Sequence, residues 1–157
     1  MTRYSMQAEP KKPRLLVLDD DRQTLDIMAI AFSRRGFDVV TKQAGPDFFD
    51  AQELHEVLAD IRPDCVLSDY DMGSLNGADA YQTVRHFDRA LPFILHTNSV
   101  DQLDAARLQG SIAVRHKPVG NEELANHTKS CTELFSEALK HAGKIDIFAE
   151  QPKGHAR

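Results

Sequence analysis

Two stretches of acid stand out, each directly behind a short apolar run. Asp19, Asp20 and Asp21 follow Leu15-Leu16-Val17-Leu18, and Asp69 and Asp71 flank Tyr70 after Cys65-Val66-Leu67-Ser68. Farther along, Thr97 follows Ile94-Leu95-His96, and Lys117-Pro118 follows Ile112 to His116. Asp21 has an ordinary explanation as the N-cap of the segment behind it. Asp19, Asp20 and Asp69 need another if the runs are neighbouring strands, because converging carboxylates repel unless a cation sits between them. Hard oxygen ligands without His or Cys select magnesium over zinc. Magnesium takes one or two carboxylates, keeps several waters and leaves room for phosphate oxygens. Lys117 adds a compact charge suited to a phosphate oxygen, and Thr97 a hydroxyl. Such a set supports attack of a carboxylate on phosphorus, forming an aspartyl phosphate.

The elements that must position these residues alternate along the chain. Arg14–Leu18 reads as a strand covered on both faces, followed by a helix over 22–35 with Leu25, Met28, Ala29 and Phe32 in register and Gly36 as its stop. Phe37–Thr41 is a second strand, and Pro46 opens a second helix to about Arg62. Cys65–Ser68 is a third strand ending at Asp69, and the loop Asp71–Gly77 precedes a helix to about Arg89. Pro92–His96 is a fourth strand, residues 100–109 a fourth helix, Ile112–His116 a fifth strand and Asn121–Ala142 a last helix. Five strands alternating with five helices require right-handed crossovers and a parallel sheet, a single doubly wound α/β domain. In such a sheet the site lies beyond the C-terminal strand ends, where the winding direction reverses. That is where the acids, Thr97 and Lys117 fall.

The 157 residues suit one domain with its own core. The net charge is −5, and residues 15–150 alone carry 13 basic against 23 acidic residues. An acidic body argues against direct nucleic-acid binding. Nothing resembles a secretory signal or a membrane span, and Cys65 and Cys131 read as buried free thiols, so a cytoplasmic setting is expected. His55, His86, His127 and His141 fall on helical patterns and are expected in solvent, while His96 and His116 are expected beside the sheet. No Cys/His spacing suggests zinc.

The ordered set Leu15–Asp21, Leu67-Ser68-Asp69-Tyr70-Asp71-Met72 with Gly77 behind it, Ile94-Leu95-His96-Thr97 and Lys117-Pro118 resembles the receiver domain of bacterial two-component response regulators. The resemblance covers roughly residues 13–142. It implies a (βα)5 fold with sheet order 2-1-3-4-5 over 14–142, between a basic tail (1–13) and a tail or linker (143–157). It further implies Asp69 as phosphoacceptor and magnesium held by Asp19, Asp20, Asp69 and the backbone carbonyl of Asp71. Thr97 and Lys117 would bind the phosphoryl group, and the bond before Pro118 would be cis. The donor would be a sensor histidine kinase or a histidine phosphotransfer protein. Output, or a homodimer, would use the face of the fourth helix, fifth strand and fifth helix, and the chain would not be an enzyme in the ordinary sense.

Four positions depart from the family pattern. Gly73 replaces a usual Pro, Asn98 a smaller residue, and Asp71 adds charge near the acceptor. Val114 stands where the family commonly has Tyr or Phe, which removes the aromatic switch and leaves movement of residues 97–103 to carry the signal. The second helix is expected to be about a turn longer than the family's. Two other functions compete. A haloacid-dehalogenase-like phosphohydrolase would use Asp69 and Asp71 as its Asp-x-Asp pair, but carries that motif on its first strand. A pseudo-receiver would bind partners without taking phosphate, against which an intact Asp19, Asp20, Asp69, Thr97 and Lys117 speaks. Whether the chain acts alone or is the receiver of a longer protein stays open, as does its downstream target.

Overall fold

A computed structural model describes residues 11–45, 50–73, 75–98 and 113–141, the side chains of 113–116 excepted. Nine elements follow in order: β1 (Arg14–Asp19), α1 (Arg22–Ser33), β2 (Asp38–Gln43), α2 (Ala51–Ile61), β3 (Cys65–Asp69), α3 (Gly77–Phe87), β4 (Phe93–Thr97), β5 (Ala113–His116) and α4 (Gly120–His141). The strands form one parallel sheet in the order β2-β1-β3-β4-β5. The helix expected over 100–109 lies outside the described residues, as do Ser99–Gln102 and Leu103 of the segment expected to move.

The apolar runs form central strands because each has two faces to bury. Leu16 and Leu18 point into a core shared with Leu54, Leu58, Tyr81 and Val84 of α2 and α3. Leu15 and Val17 point the other way, into a core shared with Leu25, Met28 and Phe32 of α1 and Cys131 and Phe135 of α4. Every residue of β3 and β4 is buried. Phe37 bridges the second core, edge-on to both Phe32 and Phe135. Both cysteines are buried thiols outside any disulfide.

Local signals set the helix ends. Asp21 caps α1, its carboxylate accepting from the Thr24 amide and hydroxyl. The second helix is described from Ala51, where Asp50 and Glu53 make a reciprocal capping box that satisfies its first amides; Pro46, the expected opening, lies outside the described residues. α2 spans 11 residues. The bond between Lys117 and Pro118 is trans, contrary to the expected cis form. Trans is the intrinsically favoured isomer, and the reversal into α4 is made instead at Gly120, whose φ of 80° suits a residue without Cβ.

Candidate functional site

All the acidic, hydroxylic and cationic groups named above sit at the C-terminal edge of the sheet. Asp19 ends β1 and Asp69 ends β3, adjacent strands at the point where the chain winds outward in both directions. Asp19, Asp20 and Asp69 each offer a carboxylate oxygen within 4.8 Å of the others. Asp19 and Asp69 are buried, whereas Asp20 faces solvent. The backbone holds the two buried carboxylates. Asp19 Oδ1 accepts the Asp21 amide at 2.9 Å, and Asp69 Oδ1 accepts the Tyr70 amide at 2.8 Å. Their other oxygens face each other across Lys117, whose Nζ lies 3.0 Å from Asp19 Oδ2 and 3.3 Å from Asp69 Oδ2.

Lys117 reaches this position because its amide donates to the Thr97 carbonyl at 3.0 Å, continuing the β4–β5 ladder one residue beyond β5. Thr97 is buried beside it. On the other side, the Gly77 amide donates to the Tyr70 carbonyl at 2.7 Å and closes the loop that follows the acceptor strand. A Cβ at Gly77 would come within 2.5 Å of Leu95 Cδ1 and 3.0 Å of the Asp69 carbonyl oxygen, so glycine is required by space. Asp71 lies exposed beyond Asp69.

The electrostatics follow from burial. Desolvation, then the neighbouring Asp19 charge, push the Asp69 carboxyl up to about 6, with Lys117 and the Tyr70 amide pulling against them. Burial also raises Asp19, against the Asp21 amide and Lys117. Burial works to lower Lys117, but the two carboxylates outweigh it and raise its pKa. The cluster is short of positive charge. Asp19 Oδ2 is fully buried and accepts no directed hydrogen bond, its contact with Lys117 being an ion pair. Three clustered carboxylates that share one ammonium fit a hard divalent cation, and the all-oxygen donor set fits magnesium.

Two histidines overturn the expectations for them. His96 is wholly buried rather than beside the sheet, and His127 is buried in α4 rather than solvated. The reasons are periodic: His96 shares the face of Ile94, which α4 covers, and His127 falls one turn before Cys131 on the buried stripe of that helix. Their ring nitrogens Nδ1 and Nε2 stand 3.2 Å apart. Strand alternation was the signal that could have revealed His96. His55, His86 and His141 are exposed as expected. Val114 pairs with Leu95 in the β4–β5 register.

This fold, with acids at the switch point of a 2-1-3-4-5 sheet, defines a doubly wound α/β class with an acidic cluster at its strand ends. Residues 15–129 match the response regulator receiver domain, and the chain belongs to that family. It is 28% identical over 144 residues to the transcriptional regulatory protein GlrR of Escherichia coli, covering 90% of this chain and 31% of that protein. It is 29% identical over 93 residues to the DNA-binding response regulator MtrA of Mycobacterium tuberculosis, covering 59% of this chain and 38% of that one. The chain thus spans about a third of the length of these curated relatives. Among solved structures, a receiver domain protein from Clostridium thermocellum superposes with a TM-score of 0.67 at 18% identity, covering 83% of this chain and 97% of that one. The response regulator TrrA of Thermotoga maritima, solved in complex with Mg2+ and BeF, gives 0.62 at 18% identity, covering 75% and 97%. Membership of this family removes the haloacid-dehalogenase reading. Among the described residues, no helix is long and apolar enough to cross a membrane.

Proposed function

We propose that this chain is a phosphoaccepting receiver of a two-component or phosphorelay system, with Asp69 as the acceptor. The observation that carries the reading is Asp69 Oδ2 itself: it ends the central strand β3 beside two other carboxylates and 3.3 Å from Lys117 Nζ. Asp69 Oδ1 is engaged by the Tyr70 amide, which leaves Oδ2 as the attacking oxygen. In the transfer, Oδ2 forms a bond to phosphorus while the bond from phosphorus to the donor breaks, and the donor leaves with that electron pair. For a histidine donor the leaving atom is an imidazole nitrogen, which then takes a proton.

The residues divide the work by charge. Asp19, Asp20, Asp69 and the Asp71 carbonyl would hold magnesium, which supplies positive charge to the phosphoryl oxygens. Lys117 pairs with the phosphoryl anion once Asp69 is esterified, and the Thr97 hydroxyl donates to it. Buried Asp19 keeps Lys117 charged and in place before transfer. A donor protein must dock over this edge. Ile27 of α1 and Val119 after β5 are exposed apolar side chains near it, and Ile27 lines one cavity with Lys117 and Pro118. They suit the apolar face of a helical histidine kinase or phosphotransfer partner.

Intact mass after incubation with acetyl phosphate tests the reading. Wild type should gain one phosphoryl group only when magnesium is present, and Asp69→Asn should gain none. Equal labelling of the variant would remove Asp69 as acceptor. No labelling of either protein, with magnesium bound, would favour the pseudo-receiver.

A further inference from the structure

β2 lies at one edge of the sheet, and among the described residues its only strand partner is β1. The two strands pair residue for residue from Asp38 to Gln43, with no bulge. The Asp38 amide donates to the Pro13 carbonyl at 2.9 Å and the Ala44 amide to the Asp19 carbonyl at 2.8 Å. Backbone groups alternate sides along a strand, so Asp38, Val40 and Lys42 turn theirs toward β1. Val39, Thr41 and Gln43 therefore present N–H and C=O to the outside. Space lies along that edge: a groove of about 750 Å³ runs between residues 40–43 and Glu53, Val57 and Ile61 of α2.

An open edge of this kind can accept a further strand, and the side chains select which. Asp38-Val39-Val40-Thr41-Lys42 has an acid at one end, a base at the other and Val40 at its centre. Laid antiparallel on the same segment of a second copy, with Val40 on the two-fold axis, the outward-facing Val39 and Thr41 exchange hydrogen bonds with Thr41 and Val39 of that copy. Asp38 then stands opposite Lys42 of the second copy, and Lys42 opposite its Asp38. Both are pairs of the closer, non-hydrogen-bonded kind, where side chains interact best. The neighbouring registers of the same backbone parity set Lys42 or Asp38 opposite Val40 and pair no charges. The next ones oppose Lys42 to Lys42 or Asp38 to Asp38. Asp38 already meets Arg14 Nε through Oδ2 at 3.1 Å, but both side chains are exposed, which leaves Oδ1 for a second cation.

We propose that the open edge of β2 is a homodimer interface, in which two copies of this chain pair antiparallel about Val40. The contact is isologous and closes at two copies. It doubles the five-stranded sheet, points the two acidic sites toward opposite ends and leaves the β5 side of each copy free. The pairing does not depend on Asp69 as acceptor. A contact of five residues a side is smaller than a standard interface, and the acidic groove walls of Glu53, Glu56 and Asp60 face each other across the axis, so the dimer is weak.

Sedimentation velocity of the full chain between roughly 0.01 and 1 mM, the range suited to a small interface, reads the mass. Wild type should move from monomer toward dimer as concentration rises, and amide exchange at Val39 and Thr41 should slow in step. Asp38→Lys and Lys42→Asp each set like charges face to face at both ends of the pairing, and each alone should weaken the dimer about tenfold or more. Mixed in equal amounts, the two variants oppose lysine to aspartate at both ends, and the mixture should dimerise as wild type does. Single variants that dimerise like wild type, or a mixture that fails to recover, overturn this register. A wild type that stays monomeric throughout overturns the interface. Protection of the Val39 and Thr41 amides in that monomer would also overturn it, assigning the edge to another segment of the same chain.

Discussion

Lys117 Nζ lies 3.0 Å from Asp19 Oδ2, an ion pair between the end of β1 and the residue after β5 that reaches across both intervening strands. The carboxylate is fully buried and the lysine mostly so. Removing one member of a buried pair leaves the other charge uncompensated, which costs roughly 3–5 kcal/mol when both are fully desolvated. Lys117→Met keeps the side-chain stem and deletes only the charge. Without divalent ions it should destabilise the fold at pH 7.5 by about 2–4 kcal/mol in urea unfolding. At pH 5, where Asp69 holds its proton, the penalty should be smaller. A penalty that does not change with pH would mean that lost packing, not lost charge, is the cause.

Asp69 makes a second pH dependence of opposite sense to that of an ordinary paired acid. Its folded pKa of about 6 stands above the ordinary carboxylate value of 3.8, so the native state holds this proton more tightly than the unfolded chain. Its stabilising contribution is complete below the unfolded value and is lost as the pH rises through about 6. The metal-free wild type should therefore lose up to about 3 kcal/mol between pH 4 and pH 7 relative to Asp69→Asn. Parallel stability curves for the two proteins across that range would show that Asp69 is not desolvated in solution.

The sheet was readable in the sequence because each of its central strands is a continuous apolar run ending in a polar residue at the same edge. Leu15–Leu18 and Cys65–Ser68 are buried on both faces, and that condition leaves a signature in composition alone. Asp19, Asp69 and Lys117 were legible for the same reason, since strand ends of one parallel sheet share an edge. His96 and His127 were not, because a histidine in an apolar strand or on a helical stripe has no compositional mark of burial. Only the pairing of the Ile94 face with α4 brings the two rings together. Pro46 is a strong helix-opening signal but lies outside the described residues, and the described α2 starts behind the Asp50–Glu53 capping box.

Gly77 couples the fold to the acceptor. Ala at this position would place Cβ 2.5 Å from Leu95 Cδ1, 2.9 Å from Tyr70 Cα and 3.0 Å from the Asp69 carbonyl oxygen. Two of these neighbours are backbone and cannot step aside as a side chain can. Gly77→Ala should cost about 1–3 kcal/mol, as overpacking does. Amide shifts should concentrate at Asp69–Asp71, and acetyl phosphate should label the variant more slowly than wild type. A variant with wild-type stability and an unmoved Asp69 amide would show that α3 can back away from the strand.

Asp20 separates metal binding from stability. It is the exposed member of the acidic trio: its carboxylate lies beside that of Asp19, and its carbonyl accepts from Gln43 Nε2 at 3.2 Å. Asp20→Asn should therefore leave the metal-free melting temperature close to that of wild type. Magnesium that binds only the native state stabilises it by mass action, by about 1.4 kcal/mol at ten times the dissociation constant. For a chain of this size that raises Tm by roughly 3–6 °C. Wild type should show that rise with magnesium and lose it again with chelator, while Asp20→Asn should lose most of it at the same magnesium concentration. The measurement is a pair of thermal melts, with sodium at matched ionic strength as the control. An equal rise in both proteins would place the ion somewhere other than between Asp19, Asp20 and Asp69.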